Sequence, residues 1–221
     1  MNSKHIILHD YILSASCYKV RLMAALLAQK LTLRAVDFHP GREHRSLAFR
    51  VLNPAGTLPV LVDGDLTLTE STAMLVYLVR QSGATEWLGD QTPESAAQVQ
   101  GWLAFAARLG SSLGAARLHD MLHFPADIDA VRAAGVNCLR ELEATLTEAR
   151  LMGRIYLVGP GPTIADIACF PNVALAPDGG VGLDDFPSVR LWLRAIRSLE
   201  HFIEMPGIHR LHELKPEPER A

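Results

Sequence analysis

An α/β domain followed by an all-helical one is the fold class this sequence predicts, and three observations carry it. Up to about Ser82, short apolar runs of strand length alternate with helical periodicity. Beyond Pro93 the strand signals vanish and apolar residues recur at helical spacing. Between the two, residues 83–92 read as a polar connection. The expected division is therefore 1–82, a linker 83–92, and 93–221.

Ile6-Ile7-Leu8 reads as a first strand. Ser14-Ala-Ser16-Cys17 then leads into a helix with Val20, Met23, Ala24 and Leu27 on one face. Leu31 to Phe38 reads as a second strand, though its alternation is poor. His39-Pro-Gly breaks the chain, and Glu43 to Leu52 forms a short helix that stops before Pro54. Val60-Leu61-Val62 is a β-branched strand, Asp63-Gly64 a turn into a partner strand, and Glu70 to Gln81 a helix.

In the second half, Pro93 behind Thr92 marks a helix start. That helix runs to about His119, with a kink expected at Gly110-Ser-Ser-Leu-Gly114. A second long helix covers about Ala126 to Met152, with Cys138, Leu139, Leu142 and Leu146 facing inward. Gly159-Pro-Gly-Pro162 is a break, and Thr163-Ile-Ala-Asp166 matches a capping box with Asp in the acidic position. From Pro187 to Leu199 the stripe Val189, Trp192, Ile196, Leu199 is amphipathic.

The stretch Asn53-Pro-Ala-Gly-Thr-Leu-Pro59 organises the rest. A proline that opens a buried strand is tolerated only at special positions, and a cis Leu58–Pro59 bond is expected. Such a bond would turn the Leu58 backbone outward, free to pair with another extended peptide. A few residues on, Glu70 and Ser71 open a helix whose first N–H groups are unpaired and favour an anion. A small acidic peptide bound across both features satisfies them together.

Composition narrows the function classes. The formal net charge of −3 offers no basic face for nucleic acid. Three cysteines, Cys17, Cys138 and Cys169, are widely spaced and imply neither a disulfide framework nor zinc. Nine histidines without a paired ligand motif on a helix read as surface residues, so no metal is expected. The first apolar run is too short for a signal peptide, and no stretch of about 18 apolar residues predicts a membrane span. The expected location is a reducing cytoplasm.

Taken in order, these motifs resemble the cytosolic glutathione transferase family over nearly the whole chain. Ser14-Ala-Ser-Cys-Tyr-Lys-Val-Arg-Leu22 is similar to the catalytic segment of its serine-type classes, nearest zeta and tau. Ala15, Ser16 and Cys17 depart from the zeta pattern. Asn53 to Pro59 is similar to the family's cis-proline loop, Glu70-Ser71 to its γ-glutamyl anchor, and Thr163-x-x-Asp166 to the capping box of its helical domain. The segment Pro187 to Met205 is similar to its closing helix. The resemblance implies a thioredoxin-like first domain that binds glutathione as co-substrate, an all-α second domain, and a homodimer. Ala104-Phe-Ala-Ala on a long helix is an apolar stretch that a partner would cover.

The chemistry expected is attack by the glutathione thiolate on a small, hydrophobic electrophile. A thiolate needs a donor and the positive end of a helix. Ser14 is the first candidate, with Ser16, Cys17 and Tyr11 as alternatives. Ser16 doubles as a helix N-cap, and Cys17 as a small buried residue. Cys17 would bring thiol–disulfide chemistry instead, and a zeta-like isomerase is a further alternative. A non-catalytic protein that binds glutathione or another ligand is the competing class. His44, Thr57, Leu58, Pro59, Glu70 and Ser71 are the expected glutathione contacts. His44 would face the glycyl carboxylate, with Arg42 and Arg45 as substitutes. Leu109, Leu113, His119 and the histidines at 209 and 212 are candidates to line the electrophile pocket.

Overall fold

The computed structural model describes residues 5–206. Its first half is a four-stranded sheet in the order β2-β1-β3-β4. β1 (Ile7–Asp10) lies parallel to β2 (Thr32–Ala35), as a crossover through helix α1 (Ala15–Leu26) requires. β3 (Val60–Asp63) runs antiparallel to β1, and β4 (Leu66–Leu68) closes a hairpin on it. Gly64 supplies the positive φ of that turn. β2 is shorter than Leu31 to Phe38 and exposed throughout, because it is a sheet edge. That position explains its poor alternation: neither face is fully covered.

Helix α2 (Leu47–Leu52) and a preceding 3₁₀ turn (Glu43–Arg45) replace the single helix expected there. Ser46 divides them, since its extended backbone and its hydroxyl cap the Phe49 N–H. Helix α3 (Ser71–Ser82) follows β4 and ends at Gly83 in the left-handed conformation. The sheet and α1 and α3 give the α/β half of a thioredoxin-like plus helical architecture.

Past the connection come α4 (Pro93–Leu109) and α5 (Ala115–Leu122), joined without a break by a π-helical turn, Gly110–Gly114. The expected kink is thus a wider turn. α6 (Ile128–Leu151), α7 (Ile164–Ala174) and α8 (Pro187–Arg197) complete the second half. α8 stops short of Met205: Ser198 caps it and the chain turns at His201, where φ is +64°. In the Ala104-Phe-Ala-Ala stretch, Phe105 and Ala106 face the chain's own core, so that stretch gives no reason to expect a partner. Large apolar side chains do stand out elsewhere: Leu47 and Val51, one turn apart on α2, are each 87% exposed.

One apolar core runs through both halves, from Leu8 and Met23 to Leu139 and Trp192. Its polar pivot is Asp166, fully buried at the start of α7. The carboxylate accepts from the N–H groups of Thr163 (2.9 Å) and Leu157 (3.0 Å) and from Trp192 Nε1 (2.8 Å), and Thr163 Oγ1 lies 3.2 Å away. The capping box thereby fixes α7 against α8 as well as starting it. No helix among the described residues is long and apolar enough to cross a membrane.

Candidate functional site

Where β1 ends, Tyr11 to Ser14 turn sharply into α1. The Ser14 N–H donates to the Tyr11 carbonyl (2.9 Å), and Ser14 becomes the N-cap, its Oγ accepting from the Cys17 N–H at 3.2 Å. Accepting that bond leaves the hydroxyl hydrogen to be donated. Ser14 is half-buried and stands at the positive end of a twelve-residue helix.

Ser14 borders a cavity of about 330 Å³ between the two halves. Tyr11, Ser16, Thr57 and Leu58 line it from the α/β side. Leu118, Met121, Leu122 and Phe124 face them from α5 and its end. Phe38 closes one wall: it lies 5.2 Å from Tyr11, stacks on Phe124 at 5.8 Å, and stacks on His44 at 4.3 Å. The helical half also contributes Arg117 from α5 and Asn172 from α7. Two larger hollows, about 600 and 650 Å³, lie elsewhere, but neither is bordered by any of the sequence candidates. Among the described residues no three metal-ligating side chains converge.

The loop before β3 is built for this wall. Asn53, buried, donates from Nδ2 to the Thr57 carbonyl and hydroxyl (both 2.9 Å) and accepts from the Ala55 N–H (3.1 Å). Gly56 has φ +59°, and a Cβ there would sit 2.7 Å from the His44 carbonyl oxygen. Leu58 follows with a cis bond to Pro59, as the sequence predicts, and lies two residues before the β3 ladder begins at Val60.

Two domain families match this chain. The glutathione S-transferase N-terminal domain covers residues 8–86, and the glutathione S-transferase C-terminal domain covers residues 125–195. This chain belongs to the glutathione S-transferase family. Curated relatives include glutathione S-transferase 2 of Anopheles gambiae, 33% identical over 81% of this chain and 84% of that protein. Human glutathione S-transferase theta-1 is 31% identical over 85% and 80%. Among solved structures, a possible glutathione S-transferase from Rhodopseudomonas palustris superposes with a TM-score of 0.81 at 28% identity, over 90% of this chain and 97% of that one. The glutathione S-transferase of Pseudomonas fluorescens gives 0.80 at 28%, over 91% and 98%.

Within this transferase chain the sequence candidates fall into three groups. Tyr11, Ser14, Ser16, Thr57 and Leu58 share the cavity. Pro59, Glu70 and Ser71 stand apart from its lining. Glu70 is the N-cap of α3 and makes no side-chain cap bond, so its carboxylate and the first N–H groups of α3 have no intrahelical partner. Cys17 and His44 are placed elsewhere. Cys17 is fully buried, its sulfur accepting from the Tyr11 N–H at 3.4 Å. Burial pushes its thiol up to about 12, against the lowering effect of Ser14 and the Tyr11 N–H. A thiol so held is packed in the core, and its protonated form is favoured.

His44 is buried under Phe38, and burial together with Arg45, Arg42 and Arg50 lowers its pKa below the ordinary histidine value. The lowered pKa favours the neutral ring beneath the Phe38 face. Arg45 is exposed and lines the cavity, its Nη1 3.4 Å from the Ala55 carbonyl. Of the expected electrophile-pocket residues, Leu109 and Leu113 are core, and His119 pairs with Asp120 at 3.0 Å outside the cavity lining. The histidines at 209 and 212 lie outside the described residues. Phe38, Phe124, Arg117 and Asn172 went unforeseen. Phe124-Pro125 reads in sequence only as a helix stop, and nothing local distinguishes Arg117 from a surface arginine.

Proposed function

We propose that this chain is a serine-type glutathione transferase whose Ser14 hydroxyl holds the glutathione thiolate for attack on a small apolar electrophile. The observation that carries the reading is the Ser14 hydroxyl itself. It stands at a helix N-terminus and borders the cavity, and its hydrogen, which is within reach of the Cys17 sulfur, would be donated to the glutathione sulfur instead. Glutathione would lie along the loop, its amides on the Leu58 backbone, its γ-glutamyl carboxylate on the N–H groups at Ser71, and its ammonium at Glu70. Arg45 would meet the glycyl carboxylate. The kinship with glutathione S-transferases of Anopheles gambiae and Homo sapiens supports glutathione as the ligand.

In a substitution, the thiol first loses its proton to water. The sulfur then forms a C–S bond as the bond to the leaving group breaks, and that group departs with the electron pair. The apolar wall of Leu118, Met121, Leu122, Phe38 and Phe124 suits a small hydrophobic and preferably aromatic electrophile. A homodimer, with the first half of one chain against the helical half of the other, belongs to the same proposal. Its motive is now the exposed pair Leu47 and Val51 on α2. The test is conjugation of glutathione to an aromatic halide by the purified protein. Turnover that disappears without glutathione supports the reading. Binding of glutathione without turnover of any electrophile would assign the chain to ligand binding instead.

A further inference from the structure

Arg117 is the charged group the reaction as written above does not use. It is 5% exposed yet borders the cavity. Its Nε donates to Asp178 Oδ2 at 3.1 Å, and its Nη1 donates to the Leu13 carbonyl at 2.7 Å. Its Nη2 is buried and has no hydrogen-bond partner. The contact with Asp178 is made possible by the neighbouring glycine. A Cβ on Gly179 would lie 2.7 Å from the Arg117 backbone nitrogen, so only glycine lets the turn Ala176–Gly179 come this close to α5. A matching contact comes from the other half, where Arg21 Nη2 donates to the Ile12 carbonyl at 2.9 Å. Two arginines thus hold successive carbonyls of the turn that ends at Ser14.

We propose that Arg117 is a positioning residue for thiolate formation: from the helical half it fixes the Leu13 carbonyl, and hence the Ser14 hydroxyl, and it places positive charge at the cavity wall. The inference rests on the Ser14 reading. Asp178 neutralises one edge of the guanidinium, and the edge carrying Nη2 is left uncompensated. A cation near sulfur favours its charged form. The only charged side chains that line the cavity among the described residues are Arg117 and Arg45, and Tyr11 is the other titratable one. Behind the turn stand Asp10 and Arg21, with Arg21 Nε 3.3 Å from Asp10 Oδ1.

The experiment titrates the ultraviolet absorbance of the glutathione thiolate bound to each variant and measures conjugation at saturating glutathione. Arg117→Gln keeps a donor for Leu13 but loses the charge. Its thiolate midpoint should rise by about one pH unit, with a roughly tenfold lower rate below the midpoint and a KM for glutathione within about twofold of wild type. Asp178→Asn keeps an acceptor but removes the neutralising charge, so its midpoint should move the opposite way. A merely structural arginine would lower stability in both variants and reverse sign in neither. An unmoved midpoint in folded Arg117→Gln, or a raised or unmoved one in Asp178→Asn, overturns the proposal. If Arg117→Gln does not fold, Asp178→Asn decides alone. Failure of the serine reading shows separately, as an unmoved midpoint in Ser14→Ala.

Discussion

Ser14→Ala removes two things at once, and the structure allows them to be separated. The first is the cap: Ser14 Oγ accepts from the Cys17 N–H at 3.2 Å, and loss of such a cap costs about 1 kcal/mol of stability. The second is the hydrogen donated to bound sulfur. A hydrogen bond to a charged group is worth about 1.5–3 kcal/mol, equivalent to a rise of about 1–2 units in the thiol pKa. The N-terminus of α1 stays in place, so the lower end of that range is expected. Below the midpoint, conjugation should fall about tenfold. Ser14→Thr retains both functions and should keep most of the rate. Cys17→Ser should leave the rate within about twofold, because that sulfur is buried and its thiol stays protonated at neutral pH. The assays are thiolate absorbance against pH, conjugation rate, and thermal melting, which reads the cap alone. A Ser14→Ala protein with lowered melting but an unmoved midpoint and rate would refute the catalytic role and leave only the cap. Activity lost in Cys17→Ser and kept in Ser14→Ala would point to disulfide chemistry.

The remaining predictions test the other walls. Ser71→Ala removes a donor at the start of α3 and should weaken glutathione binding by about 1.5–3 kcal/mol; wild-type affinity by calorimetry would remove the anchor from Glu70-Ser71. Gly56→Ala should cost about 1–2 kcal/mol from its positive φ alone, and more from the approach to the His44 carbonyl; a melting curve unchanged from wild type would contradict that geometry. His44 has a folded pKa below the ordinary 6.5, so its neutral form is favoured in the fold. The stability it contributes is full above about pH 6.5 and is lost as pH falls through the lowered value, so His44→Gln should flatten the acid side of a stability–pH curve. Equal slopes in both proteins would count against it. A homodimer is expected by light scattering at micromolar concentration, with Leu47→Glu shifting it toward monomer; a wild-type monomer would end that reading.

What was legible in the sequence is what local chemistry dictates. A serine before a helix, a glycine at positive φ, a proline at a strand start and a Thr-x-x-Asp box each owe their position to a backbone group within four residues. These features put Ser14 at a helix start beside the cavity, Leu58 before a cis proline and Ser71 in the first turn of α3. The contacts that close the cavity from the helical half were not legible, because they are made across the chain. Phe124 meets Phe38 only after α4, the π turn and α5 have carried it back to the sheet, and Arg117 reaches Leu13 across the gap between halves. The same π turn explains a second omission. Gly110 and Gly114 read as a kink, yet a Cβ on Gly114 would lie 3.1 Å from Asn172 Oδ1, so the glycines admit an amide from α7 to the cavity. His44 shows the complementary case. Its spacing from Asn53 fits a carboxylate contact, but Phe38, six residues earlier in sequence and beyond the second strand, covers its ring. Spacing along a chain fixes which backbone groups can meet. Which face a side chain presents is decided by whatever packs over it, and here a single aromatic ring covers the histidine while an arginine lines the cavity.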